Sequence, residues 1–286
     1  MTTETRYVRP PQEILDTLLE EGLRAAGEAP HPPDATWIEV GSSTLVVLAG
    51  RTALRVARQP SVAGELRRAQ ALVDALPALP FAVPESTGLP VTIEGFQAIP
   101  TLRVEGEPHP PHEGDPEPLR ALLEAVHSLD PGPLRPHLAQ TRSFMGGADW
   151  ETVLRERVVE LLSPNLQDEA RRRIDALAGL EPPAVVVNHG DLAGSNVLWQ
   201  HGRVSAVLDW DLTALDDPAE DLASLASWHG WALVHELADA ATVARAEVFR
   251  RSVGLQQIAF TLLHDRPADE LARVVARAEQ HLARWG

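Results

Sequence analysis

The chain has 286 residues, a formal net charge of −16, no cysteine, and arginine at all 25 of its Lys/Arg positions. That length suffices for one large domain or two lobes around a shared core without disulfide or metal staples. The missing residue types exclude thiol nucleophiles, disulfides, Cys-based metal sites, pyridoxal Schiff bases and the lysine-bearing phosphate loop.

The charge is uneven: nine Arg face twelve acids up to Val104, and sixteen face 29 beyond it. A nucleic-acid partner is not expected, because backbone binding needs a positive face. A negative cleft instead concentrates a cationic small molecule. No apolar run approaches the ~20 residues of a membrane span, and the opening MTTETRYVRP lacks the apolar stretch of a signal peptide. The expectation is a soluble cytoplasmic protein with no membrane partner.

Residues 11–27 read as an amphipathic helix through Ile14, Leu15, Leu18, Leu19 and Leu23. The Pro-rich stretch Ala29 to Asp34 ends it. Three short β-branched or aliphatic runs follow, Thr36 to Val40, Thr44 to Leu48 and Ala53 to Ala57, separated by tight turns. A helix from about Ser61 to Leu76 and two further strands, near Val91 to Glu94 and Phe96 to Leu102, complete a small antiparallel sheet with one helix across it. The Pro- and acid-rich stretch Gly106 to Pro118 reads as a boundary, giving an N-terminal lobe over 1–104 and a mainly helical C-terminal lobe over 105–286. Helical spacing recurs over Leu119 to Leu129, Trp150 to Leu162, Asp168 to Leu177, Ala219 to Leu237, Ala241 to His264 and Ala268 to Trp285. One β interlude interrupts them: a strand at Ala184 to Val187, then a hairpin of Asn196 to Gln200 and Val204 to Leu208 turning at His201-Gly202.

The chemistry concentrates in that interlude. Such a hairpin brings Asn196 and Asp209 out at the same end, about one strand spacing apart. An amide oxygen and a carboxylate in that arrangement suit Mg²⁺, which takes oxygen ligands and keeps only one or two protein groups. Asp191, five residues before Asn196 on a glycine-flanked loop, is placed to accept a hydroxyl proton and aim that oxygen at a γ-phosphate.

His189-Gly190-Asp191, Asn196, Leu208-Asp209-Trp210 and Asp217-Pro218-Ala219-Glu220-Asp221-Leu222-Ala223, in this order and spacing, resemble the aminoglycoside phosphotransferase family of antibiotic and small-metabolite kinases. The resemblance implies an α+β, protein-kinase-like two-lobe fold. It also implies phosphoryl transfer from ATP or GTP, with Mg²⁺, to a hydroxyl of a small molecule. Asp191 would be the catalytic base, and Asn196 and Asp209 the metal ligands. Arg55 on the third strand, in place of the usual lysine, and Glu65 on the next helix would pair to hold the nucleotide phosphates. Ser42 and Ser43 would lie in the phosphate loop, and Ile99 and Thr101 in the purine-binding hinge, where Pro100 removes one donor. His189 and Asp221 would support the catalytic loop, with Asp221 opening the helix that follows. Acceptor contacts are expected from Asp211, Asp216, Glu220, Trp228 and Trp231, since carboxylates and indole faces suit a cation. The acceptor expected is an antibiotic of aminoglycoside, macrolide, peptide or nucleoside type, with resistance as the result. The alternatives are an amino-alcohol or sugar kinase, and a nucleotide-binding protein with little turnover.

Overall fold

The structure, a computed structural model, describes residues 7–30, 32, 35–39, 41, 43–264 and 266–284. Contacts divide the chain into two units, one of residues 1–107 with 198–211 and one of residues 108–197 with 212–286. The units are therefore not the two contiguous pieces expected from the Pro-rich boundary, because the hairpin of the β interlude groups with the first.

In the first unit, α1 (Gln12–Ala25) precedes β1 (Thr36–Ile38), β2 (Thr44–Ala49) and β3 (Thr52–Ala57); α2 (Ala63–Ala75), β4 (Val91–Ile93) and β5 (Phe96–Leu102) follow. The strands form one antiparallel sheet in the order β1-β2-β3-β5-β4. Period-two burial drives the layering. Leu45, Val47, Leu54, Val56 and Ala98 pack with Leu15, Leu18 and Leu23 of α1, while Ile99, next to Ala98 and so on the opposite face, packs with Ala63 and Leu66 of α2. Helix α1 comes so close to β3 that a Cβ on Gly22 would lie 2.6 Å from a Leu54 methyl carbon. The strand segment around Arg203–Val207 is bound to this unit through Ala82 N donating to Ser205 O (2.8 Å) and Val207 N to Ala82 O (3.0 Å). Its hairpin turns at His201 (φ 53°) and Gly202 (φ 74°), the doubly left-handed geometry of a two-residue turn.

The second unit contains α3 (Pro116–His127), α4 (Pro164–Ala178), α5 (Pro218–His229), α6 (Ala240–Leu263) and α7 (Ala268–Ala283). The 24-residue α6 buries residues around its circumference, from Val243 and Phe249 to Gly254, Ile258 and Thr261, because α4, α5 and α7 all pack on it. A two-stranded pair, Val186–Asn188 (β6) against Ala214–Asp216 (β9), leads into the loop that starts at His189; the hairpin strands Val197–Gln200 (β7) and Arg203–Val207 (β8) lie between them in sequence.

Three helical expectations are corrected. Trp150 to Leu162 is no single α-helix: a turn of α-helix gives way to π winding over Val153–Val158 and a 3₁₀ turn over Val159–Leu161. Apolar spacing in so short a run does not separate these windings. Ala219 to Leu237 breaks at Gly230, whose φ of 101° no helix accommodates. Helix α5 starts at Pro218, capped by Asp217 through Ala219 N (3.0 Å), so Asp221 lies inside its first turn and does not open it. No helix among the described residues is long and apolar enough to cross a membrane.

Candidate active site

The residues singled out in the sequence are shared between the two units. In the first, Arg55 sits mid-strand on β3, on the face opposite Leu54 and Val56, with its side chain 11% exposed. Its Nη2 donates to both Asp211 oxygens (2.9 and 3.1 Å) and lies 4.0 Å from Asp209 Oδ1. Burial pulls the guanidinium pKa down, but the Asp211 and Asp209 carboxylates raise it above its ordinary value. The expected Arg55–Glu65 pair is not made. Glu65 is 74% exposed and binds Arg68 one turn along its own helix (2.8 Å). Arg68 in turn donates to the Asp211 main-chain oxygen. Asp211, expected at the acceptor, is thus the counter-ion of Arg55. Asp209 has a left-handed backbone (φ 59°) and a half-exposed carboxylate.

Ile99 and Thr101 are fully buried in β5, opposite Arg55 and Ala53 of β3. Thr101 Oγ1 donates to Ala53 O (2.8 Å), and on the other edge Thr87 N donates to Pro100 O (3.0 Å) and Leu102 N to Glu85 O (2.7 Å). This correction to the hinge has a plain cause: the strand runs through Pro100 to Leu102, so the first main chain past the sheet begins at Arg103. Ser43 is partly buried beside the β1–β2 connection, and Ser42 lies outside the described residues.

In the second unit, β6 delivers the loop His189 to Asn196. Gly190 is required at its start: its φ is 82°, and a Cβ there would lie 2.8 Å from Leu212 O. Asp221, fully buried, accepts from His189 N (2.8 Å) and Gly190 N (2.9 Å), and from His127 Nε2 (3.1 Å). Burial pushes the Asp221 carboxyl up, but the His127 bond, the two histidines and the amide hold it below its ordinary value. His189 is fully buried, and its Nδ1 lies 3.2 Å from the Asp191 amide, which donates to it. The buried ring and the loop's main chain thus hold each other in place.

Asn196 Nδ2 donates to Asp191 O (2.9 Å) and Oδ2 (3.0 Å). The amide nitrogen is committed to the carboxylate, which fixes where the acid points and leaves Oδ1 as the oxygen the amide presents. Burial raises the Asp191 pKa against the pull of His189 and Asn196, so the carboxylate is a stronger base than a solvated one. The Asn196 amide oxygen in this unit and the half-exposed Asp209 carboxylate in the first are each the kind of oxygen donor that a hard divalent cation takes. No three His, Asp or Glu side chains gather into a metal cage among the described residues.

The remaining expected acceptor residues lie in the second unit. Asp216 Oδ1 accepts from Asp217 N (2.7 Å), and Oδ2 lies 3.8 Å from Arg142 Nε. Glu220 accepts from Asn188 Nδ2 (2.7 Å); burial, with Asp216 and Asp221 adding to it, pushes its carboxyl up to about 8. Trp228 donates Nε1 to His109 O (2.7 Å) and lays its ring on Gly194, and Trp231 stacks under the Arg250 guanidinium at 4.5 Å. Each of these two carboxyls and two indoles has at least one partner within the unit. His127, Asn188 and Arg68 were not legible in the sequence, since each acts through a partner at least 32 residues away or a main-chain oxygen.

The sequence pattern of the phosphotransferase enzyme family (APH) matches residues 38–260. Viomycin phosphotransferase of Streptomyces vinaceus is 30% identical over 295 aligned positions, which cover 93% of this chain and 97% of that protein. Among solved structures, an aminoglycoside 2'-phosphotransferase in complex with GDP superposes with a TM-score of 0.79 at 14% identity, over 97% of this chain and all of that one. A macrolide 2'-phosphotransferase from Brachybacterium faecium gives 0.70 at 20% identity, over 91% and 97%. These two share the kinase-like α+β fold. With the family pattern spanning most of its length and a relative of this identity aligned end to end, the chain belongs to the phosphotransferase enzyme family and is an alcohol-group phosphotransferase.

Proposed function

We propose that this chain transfers the γ-phosphoryl group of ATP or GTP to a hydroxyl of an antibiotic, and that the acceptor is a cationic peptide antibiotic of the viomycin class. The observation that carries the reading is the Asp191 carboxylate, tied by Asn196 and set on a loop whose amides Asp221 fixes. The end-to-end likeness to viomycin phosphotransferase supports the acceptor class. The 29 acids against sixteen Arg beyond Val104 suit a cation.

Asp191 accepts the hydroxyl proton as the acceptor oxygen forms its bond to the γ-phosphorus and the bond to the β–γ bridging oxygen breaks. The nucleoside diphosphate leaves. Arg55, made rigid by Asp211, holds phosphate oxygens with a planar donor pair. Main chain past β5, from Arg103 onward, would meet the base. Asn196 and Asp209 would hold Mg²⁺, whose chemistry when bound is to neutralise charge on the phosphate oxygens. This transition state needs positioning more than covalent help, which is why the loop's supports matter as much as its base.

The test is purified protein with Mg²⁺, ATP or GTP, and a panel of viomycin, aminoglycosides, macrolides and amino alcohols, read by mass spectrometry. Viomycin should gain one phosphoryl group. Asp191→Asn should lower kcat by about 10²–10⁴-fold with nucleotide affinity nearly unchanged. Phosphorylation of an amino alcohol alone, or a fully active Asp191→Asn variant, would overturn the reading.

A further inference from the structure

Arg58 follows the last residue of β3 and is 2% exposed. Its bonds converge on one short piece of chain. Nε donates to Gly41 O (2.9 Å) and Nη2 to Glu39 O (2.9 Å), and its own main-chain N donates to Ser43 O (3.0 Å). Nη1 reaches Val8 O (3.2 Å), and the guanidinium carbon stands 5.5 Å from the centre of the Tyr7 ring. Glu39, Gly41 and Ser43 belong to the connection between β1 and β2, which end and begin at Ile38 and Thr44. The connection is also tight, since a Cβ on Gly41 would lie 2.7 Å from Thr44 O.

Holding the Glu39 and Gly41 carbonyls on one buried cation removes ordering cost that the loop would otherwise meet on binding an anion. A planar guanidinium with several fixed donors can gather carbonyls in this way, and a single flexible ammonium cannot. The β1–β2 connection holds Ser42 and Ser43, the expected phosphate-loop residues, and this inference rests on that expectation and on the function proposed above.

We propose that Arg58 is the positioning residue of that loop: it fixes the loop's carbonyls from beneath so that the loop meets the nucleotide phosphates already ordered. Its contribution then falls on nucleotide binding, whereas Arg55 would act on the phosphates directly.

The experiment compares wild type, Arg58→Gln and Arg58→Lys. The readouts are kcat, the KM of each substrate, and the affinity for N-methylanthraniloyl ATP and GTP per folded molecule. Arg58→Gln should weaken nucleotide binding and raise its KM by about tenfold, with kcat and acceptor KM changed by less than about threefold, and Arg58→Lys should fall between. If only the unfolding temperature drops while nucleotide affinity per folded molecule stays at the wild-type value, Arg58 is a stability residue alone and the proposal fails. Should Arg58→Gln not fold, amide exchange in residues 39–44 of Arg58→Lys decides. Exchange faster than wild type there, with no change in the rest of the sheet, supports the clamp, and equal exchange overturns it. A wild-type chain that binds neither nucleotide would count against the proposed function, and the same exchange measurement would still judge the clamp.

Discussion

Gly194→Ala should disable the enzyme without touching a reacting group. A Cβ at this position would lie 1.9 Å from Trp228 Cδ2, 2.0 Å from Cε2 and 2.2 Å from Cγ. Carbon atoms rest at about 3.5–4.0 Å, so loop and ring must separate by roughly 1.5–2 Å. The indole has little freedom to give way: its Nε1 donates to His109 O at 2.7 Å, and its main-chain oxygen accepts from His112 N at 2.7 Å. The displacement therefore falls on the loop, three residues after Asp191 and two before Asn196. Misplacing reacting groups by about 1 Å costs on the order of 10²-fold in rate, so kcat should fall by about that factor while nucleotide affinity stays close to wild type. Overpacking should also cost about 1–3 kcal/mol of stability. Diphosphate release in a coupled assay gives kcat, and a urea titration gives the stability. Adding Trp228→Leu removes the obstruction and should restore part of the rate, with a coupling of about 1 kcal/mol or more in the double-mutant cycle. A Gly194→Ala enzyme with wild-type kcat, or two substitutions whose effects simply add, would refute the reasoning.

Two further outcomes follow from the supports of the same loop. Glu220 keeps its proton in the folded chain up to about pH 8, whereas the unfolded chain releases it near 4.5; the folded state binds the extra proton between those limits and loses stability as pH rises through them. Unfolding temperatures from pH 5 to 9 should show this decline, Glu220→Gln should flatten it, and an identical slope in the variant would exclude Glu220 as its source. Asp221→Ala strips the acceptor from the buried amides of His189 and Gly190 and from His127. It should cost roughly 3–5 kcal/mol in a urea titration, and a loss under about 1 kcal/mol would mean that the loop finds other partners.

The antiparallel sheet, the helix across it and the β interlude were legible because each rests on local pattern: period-two burial in β2 and β3, apolar spacing in α2, and a His-Gly turn between short apolar runs. The loop and its Asp221 brace were visible because short motifs fix the order of groups along the chain. Partner choice was not. Glu65 has a cation three residues ahead on its own helix, and local geometry wins over a strand residue. Arg55 then takes a carboxylate 156 positions away, which no spacing rule announces. The strand Phe96 to Leu102 was legible, but not that the main chain of Ile99 and Thr101 is taken up by pairing with Arg55 and Ala53. Asp216 and Glu220 carry no mark of their surroundings in the sequence; the burial of Asp216 and the bond of Glu220 to Asn188 are properties of packing.

The discontinuity of the first unit also bears on how the molecule can be taken apart. Its residues come from two stretches, 1–107 and 198–211, separated by 90 positions that belong elsewhere. A fragment ending at residue 107 would lack Ser205 and Val207, which hold Ala82, and Asp211, which holds Arg55. Chimaeras that exchange donor specificity between relatives should therefore transplant both stretches together, and a cut at the Pro-rich junction alone would leave a strongly charged arginine in search of its acid.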